Sequence, residues 1–260
     1  MSKTIKDLCF DMKGQSAIVT GASSGLGVTF AEALAESGVN LVIAARRIEK
    51  LNQNAKDLGH RFNIKVVPIE CDVTNEEQVK ALIEAAVREN GSLEIIVNNA
   101  GTAAIAPSVE MPLEEWNRVI SVNLTGVFVC SRNAARVMME KKYGKIINIA
   151  SIYGAVGDVF TTAPYYASKG GVVNMTRSLA AEWAPYKINV NAIAPGFFPS
   201  EMTHDIFRDE DILKYIISRT PLKRVGDPID LKAALIYLAS PGSNYVTGQI
   251  IFVDGGWTAL

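Results

Sequence analysis

Seven short runs rich in β-branched residues, separated by longer amphipathic stretches, constrain this chain more than any other feature. The runs are SAIVT, NLVIAA, IKVVPIECDV, LEIIVNNA, GKIINIA, INVNAIA and QIIFVD. Between them, Gly25 to Ser37, Ile48 to Leu58, Asn75 to Arg88, Leu113 to Met139, Tyr165 to Trp183 and Asp227 to Leu238 carry apolar residues at helical spacing, with Thr74 or Asn75 able to cap the third helix. Strands that are apolar almost throughout, each followed by a helix, must be covered on both faces. The pattern therefore predicts an α/β fold, a doubly wound parallel sheet of about seven strands with helices on both faces. No repeat or linker divides the chain. With 48% hydrophobic and 20% charged residues, positions 1–260 read as a single domain with one sizeable core.

A formal net charge of -1 without any basic block argues against a nucleic-acid surface, which needs clustered Lys and Arg. Cys9, Cys71 and Cys130 lie far apart, with only His60 and His204 beside them, so no zinc spacing arises and no metal is expected. They read as free thiols of a reducing cytoplasm. The opening MSKTIKDLCFDMKG lacks an apolar stretch ending in a small-residue cleavage site, and no run approaches the length of a membrane span. A soluble cytoplasmic protein without a membrane partner is the expectation.

TGASSGLG follows the first strand and opens a helix. Gly21 permits a sharp turn, Gly25 and Gly27 let backbone and helix start approach a pyrophosphate, and Ser23, Ser24 and Leu26 line the same turn. The spacing is neither G-x-G-x-x-G nor a P-loop, but its strand-to-helix context favours dinucleotide binding. A second pattern, TTAPYYASKGG, puts Tyr165 four residues and Tyr166 three residues before Lys169, so on a helix either phenol can face the ammonium. An isolated Tyr–Lys pair is more often packing than chemistry.

Taken in order, Thr20-Gly21-x-x-x-Gly25-x-Gly27, the NNAG of Asn98 to Gly101, Ser151 after the fifth strand, Tyr165-x-x-x-Lys169 and Pro195-Gly196 resemble the short-chain dehydrogenase/reductase family, from about residue 14 to the VDGGW near the end. The resemblance implies a Rossmann-type fold. The family's Tyr-x-Ala-Ser-Lys pattern is met only from Tyr165, which is thereby implied as general acid/base, leaving Tyr166 as a packing or cleft-wall residue. An unperturbed phenol titrates near pH ~10, and Lys169 is expected to lower that value and to hold the nicotinamide ribose. By the same resemblance Ser151 bonds the substrate oxygen, and Asn123 orients a water that connects Lys169 to solvent.

Cofactor choice follows from VIAARRIEK: Ala45 stands where NAD-preferring relatives carry Asp and Arg46 follows, so NADP is expected, with Arg47 read as a solvated helix-start arginine. Asp72 and Val73 are implied to meet adenine, Asn99, Ala100 and Gly101 the adenosine and ribose, and Pro195, Gly196, Phe197 and Phe198 the nicotinamide. Ser200 stands where the family often has a threonine.

The implied activity is NADP-dependent interconversion of a ketone and a secondary alcohol. Within the family the chain resembles 3-oxoacyl-[acyl-carrier-protein] reductases and gluconate 5-dehydrogenase-like enzymes, and a small carbonyl, sugar-acid or polyol substrate is favoured. An acyl-carrier partner is acidic and needs a cationic face, to which Lys141, Lys142, Lys145 and Lys187 are the contributors. A non-catalytic NADP-binding regulator is the remaining alternative. Residues 195–228 are the least regular and follow the sixth strand, which suits a substrate lid. Phe160, Phe197, Phe198 and Ile206 suggest apolar cleft walls. Apolar faces on the long fourth helix, the Tyr165 helix and GQIIFVDGGW, together with the family's habit, predict a homotetramer.

Overall fold

Each of the runs read as a strand forms one: β1 (Ser16–Thr20), β2 (Asn40–Ala45), β3 (Val66–Glu70), β4 (Ile95–Asn98), β5 (Gly144–Ile149), β6 (Ile188–Pro195) and β7 (Ile250–Val253). The computed structural model describes residues 4–260; the first three residues of the amino-terminal stretch read above lie outside it. All seven strands pair in parallel in the order β3-β2-β1-β4-β5-β6-β7. The winding direction reverses between β1 and β4, and the crevice beyond their carboxyl ends is where such a sheet takes a ligand.

Side-chain alternation explains why both sheet faces are apolar. Ala17, Val19, Leu41, Ile43, Ile95 and Val97 point to one side, where they meet α2 (Gly25–Glu36), α3 (Ile48–Phe62) and α10 (Ile229–Ala239) through Phe30, Leu34, Leu51, Leu58 and Leu235. Ile18, Val42, Ile96 and Ile146 point to the other, against α4 (Glu76–Asn90), α6 (Gly126–Lys141) and α7 (Ala163–Trp183). Asn75 rather than Thr74 caps α4, its Oδ1 accepting from the amides of Glu77 at 3.0 Å and Gln78 at 3.1 Å.

The helix expected over Leu113 to Met139 is not one regular helix. It comprises α5 (Leu113–Ile120), a π-turn at Ser121–Thr125 and α6, with the Gly126 amide donating to the Ser121 carbonyl five residues back. Two short helices, α1 (Ile5–Cys9) and α8 (His204–Arg208), are too brief to show a helical period, and α9 (Glu210–Arg219) lies within the irregular segment 195–228.

Beneath the carboxyl ends runs a buried polar chain. Asn98 Nδ2 donates to Ser131 Oγ and to Asn148 Oδ1, both at 2.8 Å, and Asn148 Nδ2 donates to Thr176 Oγ1 at 3.0 Å. It ties β4 and β5 to α6 and α7. Asn98→Ala strips two buried groups of a partner and is expected to destabilise by about 2–3 kcal/mol, read as a lower urea midpoint at unchanged slope. A loss under about 0.5 kcal/mol would show that the chain does not hold the strands in place.

Lys145 corrects one expectation. It is fully buried at the start of β5, its Nζ donating to Asn189 Oδ1 at 3.0 Å and Ser243 Oγ at 3.1 Å, and burial pushes its ammonium down to about 8. It cannot contribute to a docking face. Among the described residues no helix is long and apolar enough to cross a membrane.

Candidate active site

A groove of about 500 Å³ runs along the carboxyl ends of the strands. At one end lies the glycine turn between β1 and α2. Gly21 and Gly25 have φ of +68° and +56°, the left-handed region that glycine enters without strain. A Cβ on Gly21 would come within 2.8 Å of Ala100 Cα, and one on Gly27 would collide with the Gly21 carbonyl. The turn and the NNAG segment are therefore packed backbone to backbone. Asn99 braces them, its Nδ2 donating to the Thr20 carbonyl at 3.0 Å, while Thr20 Oγ1 accepts from the amides of Asn99 and Ala100 at 3.1 Å.

Ser24 precedes α2 without capping it, so the first-turn amides of the helix keep their capacity to bind an anion. Arg46, at the end of β2, lines the groove and makes no side-chain hydrogen bond or ion pair with the described residues. Arg47, expected to be solvated, is instead engaged: it donates to Ser23 Oγ at 3.1 Å, Ser24 Oγ at 2.7 Å and Glu201 Oε2 at 2.8 Å. Cys71, Asp72 and Val73 form the adjoining wall. Asp72 Oδ1 accepts from the Thr74 amide at 2.9 Å and hydroxyl at 2.7 Å, which fixes the loop, and burial pushes the Cys71 thiol up to about 11. The cradle that added Cβ atoms would fill, the uncapped helix start and the unpartnered Arg46 together fit a phosphorylated dinucleotide.

At the other end, Ser151 follows β5 and Tyr165 and Lys169 sit one turn apart on α7, all lining the groove. Pro164 in the first turn suits the helix start, where a missing N–H costs nothing. Ser151 Oγ accepts from the Tyr153 amide at 3.2 Å, so the serine both ends the strand and faces the groove. Burial pushes the Tyr165 phenol above its ordinary value, and a hydrogen bond with Ser151 partly offsets that rise. Lys169 Nζ donates to the Ile149 carbonyl at 2.7 Å, stands 5.4 Å from the Tyr165 ring centroid, and is pushed down by burial to about 8. The hydrogen bond of the Lys169 ammonium thus goes to the main chain rather than to the phenol.

Asn123 lies in the π-turn, fully buried. Its Oδ1 accepts from the Thr102 amide at 2.8 Å, and its Nδ2 donates to the Thr102 carbonyl at 2.8 Å and Ser168 Oγ at 3.2 Å. It joins the loop after β4, which carries Gly101, to the residue before Lys169. It makes no hydrogen bond to Lys169 itself.

Pro195 and Gly196 border the groove, with Gly196 pressed to Asp254, where a Cβ would come within 2.9 Å of the Asp254 Cα. Phe198 also borders it but is mostly core, 4% exposed and seated against Gly226. Phe197 turns the other way, into an aromatic group with Tyr153, Phe160 and Trp257 at centroid distances of 6.1, 6.0 and 5.0 Å. Tyr153 meets Tyr165 edge-on at 6.4 Å and packs against Tyr166 at 4.4 Å, so of the packing and cleft-wall readings of Tyr166 the contact favours packing. Ser200 packs over Gly25 and shares a 3.0 Å hydrogen bond with Thr203, another groove residue.

Several groups escape sequence reasoning. Arg118 lines the groove and donates to Thr102 Oγ1 at 2.6 Å, and Glu201 arrives from 154 residues beyond Arg47. Asp158, its side chain fully buried, accepts from Tyr215 Oη at 2.6 Å and Arg219 at 3.2 Å, tying α9 to the loop after β5. No local period signals any of these.

A family model described as Enoyl-(Acyl carrier protein) reductase matches residues 21–258. The 5-keto-D-gluconate 5-reductase of Escherichia coli (strain K12) is 38% identical over 247 residues, covering 95% of this chain and 96% of that one. The crystal structure of a short-chain type dehydrogenase/reductase from Mycobacterium marinum superposes with a TM-score of 0.94 at 37% identity, covering 99% and 100% of the two chains. That of a gluconate 5-dehydrogenase from Burkholderia cenocepacia J2315, in complex with NADP and tartrate, gives 0.93 at 37% identity, covering 96% and 98%.

Proposed function

We propose, from the premise that this chain belongs to the short-chain dehydrogenase/reductase family and is an NADP-dependent oxidoreductase interconverting a ketone and a secondary alcohol, that its substrate is a small sugar acid or polyol and that Tyr165 is its general acid/base. The observation that carries the reading is the convergence of Ser151, Tyr165 and Lys169 on one groove whose far end is a glycine cradle.

Residues along that groove would hold NADPH, which would supply the hydride. Tyr165 holds the proton that the carbonyl oxygen takes up; as a phenol it is protonated near neutrality, as a donor must be. The Ser151 hydroxyl donates to the same oxygen as negative charge develops there. Lys169 lies one turn away, its Nζ 5.4 Å from the Tyr165 ring centroid, and would hold the ribose. Asn123 acts as a positioning residue, holding the loop after β4 against α7. Arg46 supplies the charge that favours a 2′-phosphate, while Asp72, Val73, Asn99, Ala100 and Gly101 form the adenosine walls. Pro195, Gly196 and the edge of Phe198 border the nicotinamide.

Residues 195–228 serve as the substrate lid, a reading supported by Met202 and Thr203 on the groove and by the Asp158–Arg219 pair that ties α9 to the loop after β5. The sugar-acid reading draws on the activities named for the gluconate-type relatives. A carrier-bound acyl substrate is disfavoured by the burial of Lys145. Purified protein with NADPH and 5-ketogluconate, a 3-oxoacyl thioester and a bulky cyclic ketone separates the readings. Turnover highest on 5-ketogluconate supports the sugar-acid assignment, preference for the thioester overturns it, and cofactor binding without turnover marks a regulator.

Buried free thiols at Cys71 and Cys130 suit a reducing cytoplasm. A homotetramer accounts for the exposed apolar residues Phe128 on α6, Phe252 on the edge strand β7 and the terminal Leu260. Light scattering at micromolar concentration should give four chains; a stable, active monomer would refute it.

A further inference from the structure

Glu201 reaches from the segment after β6 to the phosphate end of the groove. Its Oε1 accepts from Lys50 Nζ at 2.8 Å and Arg47 Nη1 at 3.3 Å, and its Oε2 accepts from Arg47 Nη2 at 2.8 Å and Ser24 Oγ at 2.9 Å. Four donors from three places in the fold, the start of α2, the end of β2 and the first turn of α3, thus converge on one carboxylate. The adjacent Ser200 lies over Gly25, where an added Cβ would stand 3.3 Å from its own. These partners hold the Glu201 carboxyl down at about 2, so it is an anion at every physiological pH.

A guanidinium, an ammonium and a hydroxyl beside an uncapped helix start form a donor set that suits a phosphate monoester. The carboxylate satisfies the same donors. A phosphate and a carboxylate cannot share them closely, because two like charges would meet where both need the same hydrogen bonds. Arg46 stands next to this cluster, outside the ion pair.

We propose that Glu201 is a specificity-determining residue that competes with the 2′-phosphate of NADP for Ser24, Arg47 and Lys50. The 2′-phosphate must displace the carboxylate before it gains those donors, whereas a cofactor with a free 2′-hydroxyl leaves the ion pair intact. Glu201 therefore holds down the preference for NADP that the cations alone would confer. The inference rests on the NADP assignment.

The test is fluorescence titration of wild type, Glu201→Gln and Glu201→Ala with NADPH, NADH and adenosine 2′,5′-bisphosphate. Exposed ion pairs are individually weak, so removal of the competitor is expected to tighten NADPH and the bisphosphate by roughly three- to tenfold while NADH stays within about twofold. Unchanged or weaker binding of the bisphosphate in both variants overturns the proposal, since the carboxylate would then be neutral toward the phosphate or help to hold it. A wild type that prefers NADH over NADPH would instead overturn the cofactor assignment, an outcome read from wild type alone. Equal tightening of NADH and NADPH also overturns the proposal, because it would reflect general opening of the segment.

Discussion

Tyr165→Phe lowers kcat by roughly 10²- to 10⁴-fold and leaves NADPH affinity nearly unchanged, because the substitution removes the proton donor and almost no volume. The cradle proposed for the cofactor is built from other elements, chiefly the glycine turn, the end of β2 and the NNAG segment. Tyr166→Phe is the control. Its ring stacks on Tyr153 at 4.4 Å and loses only a hydroxyl, so most activity survives. Steady-state turnover and fluorescence titration measured on both variants decide the matter. An inactive Tyr166 variant beside a normal Tyr165 variant would mean that the wrong phenol has been assigned.

Arg46→Ala weakens NADPH much more than NADH. Hydrogen bonds to a charged group contribute roughly 1.5–3 kcal/mol, about 10- to 150-fold in affinity, and these are lost only where the 2′-phosphate exists. Arg46 has no competing partner among the described residues, so its charge is available to the ligand, unlike that of Arg47. Ala45→Asp acts in the same direction by another route, offering an acceptor to the free ribose hydroxyls and repelling the phosphate. Measured as the ratio of kcat/KM for NADPH over NADH, the value falls from wild type through Arg46→Ala to the double variant. A ratio indifferent to Arg46 would leave that arginine a surface charge.

Strands were legible because each is a short apolar run between polar ends, and parallel pairing follows from the helix after each. The glycine turn was legible because its glycines sit between a strand and a helix. Tyr165, Ser151 and Lys169 stand out as a set only through resemblance, and the fold puts all three on one groove. What escaped is what long-range contact decides. Arg47 reads as solvated in VIAARRIEK because nothing local shows that Glu201 will fold onto it from 154 residues away. Lys145 reads as a surface lysine in GKIINIA, yet strand register buries it beside Asn189 and Ser243. Motif spacing likewise places the Lys169 ammonium near a phenol but does not show the Ile149 carbonyl to which it donates.

The π-turn at Ser121–Thr125 has a consequence for how this stretch tolerates insertion and deletion. A five-residue loop in a ladder of four-residue ones amounts to a single extra residue within a helix, and each residue of an α-helix advances the side-chain direction by about 100°. Excising one residue there would let a regular helix run from Leu113 to Lys141 with both ends still in phase, whereas winding every residue present into four-residue loops would gain regularity and lose the register. Everything downstream would then be out of phase. Val129, Ala134 and Met138, now aimed at the sheet, would swing toward solvent, and Gly126 would no longer present its missing side chain to Val73. The apparent defect in the helix is thus the phase correction that lets α5 serve the site and α6 serve the core.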